Sequence, residues 1–455
     1  MKKTAKTLTF ALVLAILVSL VAGCAGTPTT APSTTTTGTA TGTTQALISG
    51  EITFWTQDTA TWTGWFQPAI EKFKLAYPNI KVNAEYFPEF ADKLAQAYAA
   101  NQQPDVAQTW QGVTAWAKAG KLDAMPESFM TTAEFEDTFF EGARMNKIYD
   151  GKYYCIPSEI NIESPGLIIN TSLVEKAGLT IPQAWIDNNG PSSWSELLDF
   201  AKKLTIKDSN GSIVQSGLAY TYAQWEAMFL SLIWQYGGDY RDAENMVVHF
   251  DTPEAKQACE FLLKYCKGDE AISDPGQSRY DLFVQGLAAM CVGAPWYAGS
   301  FAYDSPDLKY QYLNLPAFVE GSDPYCLATG GWGYIVSSQS ENKAAAWEFV
   351  KFMTSPEQVG SWAVACGTLA ARKDAVSDLT YDKNIGSVNK ALSISKDILQ
   401  YGREDGAYTL DPSTLVYTIV RQQLRQMLET GDIDTALKTM EAEGNALIQD
   451  NLNRG

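Results

Sequence analysis

Apolar and polar positions follow two alternating periods through the first 50 residues of the folded part of the chain. An apolar run at residues 52–55 predicts a strand, and apolar side chains near helical spacing at 65–77 predict a helix that Pro78 ends. Residues 80–86 alternate apolar and polar side chains, which is typical of a half-buried strand, and a second helical pattern follows at 90–97. This order of elements predicts a largely parallel sheet covered by helices, and therefore an α/β fold.

Helix start signals recur in the later part of the chain. Ser193 with Glu196 three positions on has the spacing of a capping box, and Thr252 with Pro253 has the N-cap and first-turn pattern. The run "QGLAAMCVGAPW" predicts a strand of small residues, and we expect the last 60 or so residues to be mainly helical. Helices and strands therefore alternate over the whole folded part.

Ligands of such sheets bind at the carboxyl ends of the strands, in the loops that follow. Several polar and aromatic residues occupy these positions, including the loop "TGGWGY". The candidate site residues found in this way are Trp55, Gln57, Asp58, Trp110, Gln111, Glu159, Asn161, Trp296, Tyr297, Gly330, Gly331 and Trp332.

The N-terminus has the three-part layout of a secretory signal peptide. Lys2, Lys3 and Lys6 precede an apolar run at 8–21, and no later apolar run is long enough to span a bilayer. The run ends in "VAGC", which resembles a bacterial lipobox, so we expect cleavage before Cys24 and lipidation of that cysteine. An ordinary signal peptide with an accidental cysteine is the alternative.

Residues 25–46 have the composition of a tether. Threonine occupies 11 of the 20 positions from 27 to 46, with proline and glycine among the rest. Such a segment has no apolar face to offset the entropy of ordering it. We therefore expect an exported protein on the outer face of a cell membrane, held there by acyl chains on Cys24.

Net charge and histidine content exclude several classes of function. The formal net charge is −18, whereas nucleic acids and anionic lipid surfaces favour basic partners. His249 is the single histidine, which argues against histidine-dependent catalysis and against metal sites with several histidine ligands. We expect no cofactor and no metal.

The cysteines do not predict a disulfide framework. Cys259 and Cys266 lie seven apart on one predicted helix, about 10 Å along its axis, which is too far for a disulfide. No CxxC spacing occurs. Other pairings and buried free thiols both stay open for the six cysteines after Cys24, which are Cys155, Cys259, Cys266, Cys291, Cys326 and Cys366.

Six stretches, in order, resemble the extracellular solute-binding proteins of ABC importers, in the sugar-binding branch that includes maltose-binding protein. They are "ITFW…FKLAYPNIKV", "PDVAQTW", "GKYYCIP…LIIN", "VEKAGL…WSELLDFAKKL", "FVQGLAAMCVGAPW" and "GGWGYIVSSQSENKAAAWEFVKFMTSPEQ". Together they cover nearly all of the chain after the tether. One departure is "GTLAAR", where Ala370 stands in place of the family's usual proline before Arg372.

The resemblance implies a two-lobed α/β fold with a hinge, in which the chain crosses between lobes near 157–163, 291–297 and 368–374. The ligand would lie in the cleft, and the closed, monomeric protein would dock on a membrane permease. The implied organisation is a signal peptide at 1–24, a tether at 25–46, lobe 1 at 47–157 and 298–370, and lobe 2 at 158–297 and 371–455.

An uncharged oligosaccharide is the predicted ligand. Sugars present apolar C–H faces and a rim of hydroxyls, which suit tryptophan surfaces and carboxylate or amide side chains. The resemblance adds Tyr222 and Trp225 as aromatic candidates of the second lobe, and Arg372 as a polar one. Candidate site residues include few bases, which argues against a sugar phosphate.

Three other functions stay open. A glycosidase needs two carboxylates within about 9.5 Å, but Glu159 and Glu163 would lie about 13 Å apart in an extended segment. An importer protein for a polyamine, peptide or metal would suit the acidic composition, with Asp58 and Glu159 holding an ammonium group. A purely structural surface protein is the third alternative.

Overall fold

The structure, a computed structural model, describes residues 48–163, 165–220, 225–375, 399–406, 409 and 411–453. Residues Leu47–Gly455 form one compact unit. The predicted signal peptide, Cys24, the tether and Tyr222 lie outside the described residues. Within the described ranges, no helix is both long and apolar enough to cross a membrane.

The strands alternate with helices along the chain, as the sequence periods predict. The strands are β1 (Gly50–Gln57), β2 (Ile80–Phe87), β3 (Val106–Thr109), β4 (Ile148–Tyr149), β5 (Lys152–Tyr153), β6 (Cys155–Pro157), β7 (Glu159–Glu163), β8 (Gly166–Asn170), β9 (Ile206–Lys207), β10 (Ile213–Gln215), β11 (Arg241–Asp242), β12 (Val247–Val248), β13 (Met290–Gly293), β14 (Tyr310–Asn314), β15 (Cys326–Thr329), β16 (Gly333–Val336), β17 (Leu369–Ala370) and β18 (Gly402–Arg403).

The helices are α1 (Ala60–Ala76), α2 (Phe90–Ala100), α3 (Val113–Lys118), α4 (Thr132–Thr138), α5 (Glu141–Arg144), α6 (Thr171–Lys176), α7 (Gln183–Asp187), α8 (Trp194–Leu204), α9 (Trp225–Gln235), α10 (Pro253–Lys264), α11 (Arg279–Val284), α12 (Trp296–Asp304), α13 (Lys343–Met353) and α14 (Pro356–Cys366). A 3₁₀ turn at Leu399–Tyr401 and the segments Pro412–Thr414, Leu415–Val420 (a π-helix), Arg421–Thr430 and Ile433–Asn453 complete the chain.

Lobe 1 is built on a five-stranded sheet in the order β2-β1-β3-β16-β6. β1 is parallel to β2 and β3, whereas β16 is antiparallel to β3 and β6. Side chains alternate along β16, so that Tyr334 and Val336 pack in one core and Ile335 packs in the core on the opposite face. Helices cover both faces, which confirms the predicted α/β class.

Lobe 2 is built on the antiparallel sheet β13-β8-β14 and a large core that includes helices α8, α9 and α10. Helix α9 is buried on every side, because all of its residues are buried. The C-terminal helix Ile433–Asn453 contributes Leu437, Met440 and Ile448 to this same core.

A third sheet, in the order β17-β7-β15-β18, links the lobes. The chain leaves lobe 1 at β6, runs through β7 and enters lobe 2 at β8; it returns from β15 to β16. The predicted first crossing, at 157–163, falls on β7.

The predicted second crossing, at 291–297, differs from the structure, and so does the placement of all of 298–370 in lobe 1. Strands β13 and β14 both pair with β8, so the chain stays with lobe 2 through Asn314. The return to lobe 1 comes later, between β15 and β16. The sequence run before Pro295 marks a strand end, but the pairing of β14 depends on contacts with a strand about 140 residues earlier.

The six cysteines of the described residues are buried free thiols. Burial raises the pKa of Cys155 to about 11 and the pKa of Cys326 to about 12. Such thiols are protonated at neutral pH and pack as small apolar side chains.

Candidate binding pocket

A pocket of about 430 Å³ lies where lobe 1, the linking sheet and lobe 2 meet. Lobe 1 contributes the turn after β1 and the start of α1, and lobe 2 contributes residues of α11–α12 and of the C-terminal helices. The lining residues are Gln57, Thr59, Thr61, Trp62, Trp110, Glu159, Asn161, Glu163, Tyr280, Trp296, Ser300, Asp304, Gly331, Trp332, Thr368, Tyr417 and Arg421.

Three tryptophans form one wall of the pocket. The ring of Trp332 lies 4.5 Å from that of Trp110 and 5.3 Å from that of Trp62, measured between centroids. Phe90 stacks against Trp332 at 6.0 Å. Close packing of large rings fixes their orientation, so this wall is a rigid apolar surface.

The turn that carries Trp332 needs glycine. Gly331 has φ +60°, and a Cβ built there would lie 2.6 Å from Cγ of Glu159. The carbonyl of Gly331 accepts a hydrogen bond of 2.9 Å from the buried Lys147 Nζ. A side chain at 331 would therefore displace the strand that forms the pocket floor.

Strand β7 forms that floor through every second residue. Glu159, Asn161 and Glu163 line the pocket, whereas Ile160 and Ile162 point to the other face and join two different cores. This follows from the two-residue period of a strand. Two carboxylates and an amide therefore lie in a row along the pocket floor.

Glu159 is buried and fully hydrogen-bonded to the protein. Oε1 accepts from the Trp332 backbone N–H at 3.3 Å, and Oε2 accepts from Trp362 Nε1 at 2.6 Å. Burial raises the pKa of Glu159 to about 6, and these hydrogen bonds limit the rise. The carboxylate thus holds the backbone of Trp332 in place.

Glu163 is also buried but is only partly bonded. Oε1 accepts from Asn161 Nδ2 at 2.8 Å, while Oε2 has no hydrogen-bond partner within the described residues. Burial raises the pKa of Glu163 to about 7, with the Arg279 charge opposing the rise and the Glu226 charge adding to it. The Trp296 indole N–H, directed at the Glu163 carboxyl, also opposes this rise in pKa.

Helix α12 supplies the opposite wall with a single face. Trp296, Ser300 and Asp304 are spaced four apart and all line the pocket. The Tyr280 hydroxyl donates to Asp304 Oδ2 at 3.2 Å, and the Tyr280 ring stacks against Trp296 at 6.3 Å. This wall therefore also combines aromatic surface with hydrogen-bonding groups.

The π-helix Leu415–Val420 brings Tyr417 and Arg421 to the same end of the pocket. A π-helical turn shifts side chains relative to a regular α-helix and often occurs at functional sites. Arg421 pairs with the fully buried Glu226 and lies over the Tyr417 ring at 5.3 Å. Burial lowers the pKa of Arg421, but the hydrogen bond to Glu226 and the carboxylates of Glu226 and Glu163 raise it above its usual value.

Seven of the predicted site residues line the pocket together. They are Gln57, Trp110, Glu159, Asn161, Trp296, Gly331 and Trp332.

Three other predicted residues do not line the pocket. Asp58 is exposed and accepts from the Thr63 hydroxyl at 3.1 Å, which is a helix-start contact. Gln111 donates to the carbonyl of Ala91 at 3.2 Å. Trp55 is partly buried and packs on Phe87 at 4.9 Å between ring centroids.

Four further predicted residues pack or form bonds within the protein and do not line the pocket. Trp225 is 1% exposed in the lobe 2 core, and Tyr297 is equally buried, with its hydroxyl bonded to Arg279 Nε at 3.1 Å. Gly330 is buried against the Met145 backbone. Arg372 forms a salt bridge of 2.8 Å with Asp374 and donates to a carbonyl of lobe 1, as a structural arginine does.

Sequence reasoning missed part of the lobe 1 wall. Thr59, Thr61 and Trp62 belong to the N-cap and first turn of α1, whose apolar periodicity becomes visible only from Trp65. One sequence signal could have found this turn: Thr59 is a preferred N-cap residue. Its side chain accepts a hydrogen bond from the Trp62 N–H, and the helix therefore begins directly after Gln57 and Asp58.

The missed residues of lobe 2 carry weaker signals. Tyr280, Ser300 and Asp304 follow no strand end, and Tyr417 and Arg421 lie in a helical segment far along the chain. Glu163 was weighed only as a catalytic acid. Within the described ranges, no group of three or more His, Cys, Asp or Glu side chains is arranged to hold a metal ion.

Comparison with known proteins identifies the family. Residues 59–360 match the model of the bacterial extracellular solute-binding proteins. A maltotriose-binding protein of Pyrococcus abyssi is 27% identical over 337 residues, covering 72% of this chain and 68% of that protein.

Solved structures show the same fold. The maltose/maltodextrin-binding domain MalE from Bdellovibrio bacteriovorus, bound to maltotriose, has a TM-score of 0.71 at 22% identity and covers 88% of this chain and 100% of its own. UgpB from Mycobacterium tuberculosis, in complex with glycerophosphocholine, has a TM-score of 0.73 at 19% identity. The match covers 89% of this chain and 100% of UgpB. The two-lobed fold and the match over residues 59–360 lead to one conclusion: the chain belongs to the bacterial extracellular solute-binding protein family.

Proposed function

We propose that this protein captures an uncharged carbohydrate, an oligosaccharide in particular, and delivers it to the permease of an ABC importer. The protein is held on the outer face of the membrane by a lipidated Cys24, with residues 25–46 as the tether. A tether raises the local concentration of the receptor at its membrane partner.

One observation carries the carbohydrate proposal: aromatic walls from both lobes flank a strand of carboxylate and amide side chains. The Trp62–Trp110–Trp332 wall offers a flat surface for the C–H face of a sugar ring. Asn161 and Glu163 offer hydrogen-bonding groups for its hydroxyls. Because the ligand touches both lobes, binding favours the closed arrangement.

A glycosidase is a weaker proposal. Glu159 and Glu163 are four residues apart in β7, which separates them by about 13 Å, beyond the range of a catalytic carboxylate pair. Both oxygens of Glu159 are already bonded to the protein. The relative from Pyrococcus abyssi, named for binding maltotriose, supports binding rather than hydrolysis.

A thermal-shift screen of the purified protein tests the proposal. The panel contains maltose, maltotriose and mannotriose, with glycerophosphocholine, spermidine and an amino-acid mixture as the other classes. A ligand at 100 times its dissociation constant stabilises the folded state by about 2.7 kcal/mol, which a melting curve resolves. We expect a shift with a neutral glycan only. A shift with spermidine alone would replace the carbohydrate proposal by a polyamine one.

Lipid anchoring has a separate test. In cells that express the full chain, labelled fatty acid should be incorporated into the wild-type protein and not into Cys24→Ser. A wild-type protein without label would contradict the anchor but would leave the carbohydrate proposal intact.

A further inference from the structure

We propose that Lys147 is a positioning residue of the pocket: together with Glu159 it holds the peptide group between Gly331 and Trp332, and it thereby fixes the direction of the Trp332 side chain. Lys147 does not line the pocket, so it acts on a ligand only through Trp332. This inference rests on the proposed function, in which the Trp332 ring is a stacking surface for a sugar.

Two charged side chains bond to the two ends of this one peptide group. Lys147 Nζ donates to the Gly331 carbonyl oxygen at 2.9 Å, and the Trp332 N–H donates to Glu159 Oε1 at 3.3 Å. Lys147 and Glu159 are each only 1% exposed, so water screens neither bond. A peptide group is a dipole with its positive end at the N–H and its negative end at the carbonyl. Each charge therefore lies at the end of the dipole that it stabilises.

The same two charges disfavour the reverse orientation of the peptide group. A rotated peptide group would turn the Gly331 carbonyl towards the Glu159 carboxylate and the Trp332 N–H towards the Lys147 ammonium group. Such contacts are costly where water is excluded. Gly331 has φ +60°, and a glycine permits several backbone conformations. The two charges therefore select one orientation that the local sequence leaves open.

The carbonyl on the other side of the Trp332 Cα is fixed as well. It accepts from the Ser158 N–H at 3.0 Å and from the Ser158 hydroxyl at 2.9 Å. Because both peptide groups that flank this Cα are planar and held, the direction in which the side chain leaves the backbone is determined. The ring then packs on Trp110 and Trp62. Lys147 thus contributes to binding by organising the stacking surface in advance.

Lys147 is itself held in the turn between α5 and β4. Its backbone carbonyl accepts from the Tyr154 N–H at 2.9 Å. The neighbouring Asn146 has φ +58°, and its Nδ2 donates to Oδ1 of the buried Asp405 at 2.7 Å. The Lys147 charge interacts with the carboxylates of Glu159 and Asp405, so two acids balance this buried cation.

Acetylation of the wild-type protein tests the bond of Lys147 without any mutation. The unliganded protein is treated with an amine-acetylating reagent, and peptide mass spectrometry measures the rate at each lysine. We expect Lys147 to react at least about 10-fold more slowly than Lys72, because its ammonium group becomes accessible only when the structure opens locally. The Lys72 side chain is 62% exposed. Equal rates at the two lysines would overturn the inference.

Titration of variants tests whether Lys147 acts through Trp332. Lys147→Met keeps an unbranched side chain without the ammonium group. We expect it to weaken binding of maltotriose or mannotriose about 3- to 10-fold, the cost of ordering the loop and the indole on binding. In a Trp332→Ala background the same substitution should cause no further loss, because the ring that Lys147 orients is absent. A merely structural effect would persist in that background.

Lys121→Met is the matched control. Lys121 also donates to a backbone carbonyl of lobe 1, that of Tyr98, and does not line the pocket. We expect this variant to bind the two trisaccharides as the wild type does. Melting temperatures establish that the variants are folded before titration; if Lys147→Met does not fold, the acetylation rates decide.

Near-ultraviolet circular dichroism of the unliganded variants measures the ring arrangement independently of any ligand. The bands of the packed rings Trp332, Trp110 and Trp62 should weaken in Lys147→Met and stay unchanged in Lys121→Met. An unchanged spectrum of Lys147→Met would contradict the inference.

Two titration results would also overturn the inference. One is an equal loss of affinity from Lys147→Met with and without Trp332, which would show that Lys147 acts elsewhere. The other is an equal loss in Lys147→Met and Lys121→Met, which would show a general effect of removing a lysine. Absence of binding by every glycan would overturn the proposed function instead, and the acetylation rates and the dichroism would still decide whether Lys147 positions Trp332.

Discussion

Trp362 donates its indole N–H to Glu159 across 2.6 Å, and this bond joins helix α14 of lobe 1 to the first residue of the linking strand β7. The second oxygen of Glu159 accepts from the backbone of Trp332. Glu159 therefore acts as a positioning residue: it ties the stacking surface and the hinge to the same carboxylate.

Removal of that donor should destabilise the protein. Trp362→Phe leaves Glu159 Oε2 without its indole donor. We expect the loss of this hydrogen bond to lower the free energy of unfolding by about 1 to 3 kcal/mol, and the smaller ring to lower it further. Urea denaturation measures the change. Trp225→Phe is the matched control, because Trp225 is equally buried but its indole N–H has no partner among the described residues.

The two variants separate packing from hydrogen bonding. Both replace an indole by a smaller ring, and only Trp362→Phe also breaks a bond to a carboxylate. If Trp225→Phe destabilises as much as Trp362→Phe does, the bond to Glu159 contributes nothing measurable. Trp225→Phe should also leave ligand affinity unchanged, since Trp225 lies in the lobe 2 core.

Stability should depend on pH through buried carboxyls. Burial raises the pKa of Glu159 and Asp405 to about 6 and that of Glu163 to about 7. Between about pH 4 and these values the folded protein holds more protons than the unfolded chain, so the free energy of unfolding falls as the pH rises. We expect greater stability at pH 5 than at pH 7.5, by on the order of 1 to 3 kcal/mol for each carboxyl.

Urea unfolding at the two pH values measures this difference. Glu163→Gln and Asp405→Asn should each flatten the dependence, because each removes one titrating group. Glu51→Gln is the control: hydrogen bonds from Lys81 and Asn83 lower the pKa of this exposed carboxyl, so it does not titrate between pH 5 and 7.5. A protein that is more stable at pH 7.5 would contradict the prediction.

Ligand affinity should depend strongly on Trp332. Its ring lies against Trp110 and Trp62 and faces the pocket, so truncation removes the centre of the stacking surface. We expect Trp332→Ala to weaken glycan binding by at least about 2 kcal/mol, as for a buried aromatic anchor. Trp116→Ala is the control, since Trp116 stacks on Tyr98 at 4.0 Å and does not line the pocket. Titration calorimetry that finds equal losses in both variants would exclude a stacking role for Trp332.

Local sequence patterns predicted the parts of the fold that local physics determines. The apolar run at 52–55 corresponds to β1 and the alternation at 80–86 corresponds to β2, because alternation indicates a half-buried strand directly. The place of Trp332 in the pocket lining was predictable because this residue follows a Gly-Gly turn. The sequence did not distinguish Trp225, a core residue, from Trp332. Helix α9 is buried on every side, so it has no amphipathic period that would mark Trp225 as a core residue.

Features that depend on distant pairing were not predictable. The assignment of β14 to lobe 2 rests on its register with β8. The pocket end at Arg421 depends on Glu226, 195 residues earlier in the chain. Neither pairing leaves a periodic or spacing signal, because long-range contacts are set by how whole elements pack rather than by neighbouring residues.

Contact between α12 and the end of α14 leads to a prediction about lobe closure. Gly299 of α12 lies so close to Gly367 that a Cβ built on Gly299 would be 2.5 Å from the carbonyl atoms of Cys366 and 2.8 Å from the Gly367 nitrogen. Helix α12 packs with the lobe 2 sheet and α14 packs in the lobe 1 core, so this backbone contact joins the lobes beside the pocket.

Gly299→Ala should therefore hold the two helices apart. We expect weaker glycan binding and, with saturating glycan, a larger radius of gyration in X-ray scattering than the wild type shows. Gly64→Ala is the matched control, because Gly64 also lies within a helix and a Cβ there would meet no atom within 4 Å. In both variants alanine favours the helix over glycine by up to about 1 kcal/mol. A loss of affinity in Gly299→Ala alone would therefore result from the close approach of Gly299 to Cys366 and Gly367. Unchanged affinity and radius in Gly299→Ala would show that the lobes close without this close approach.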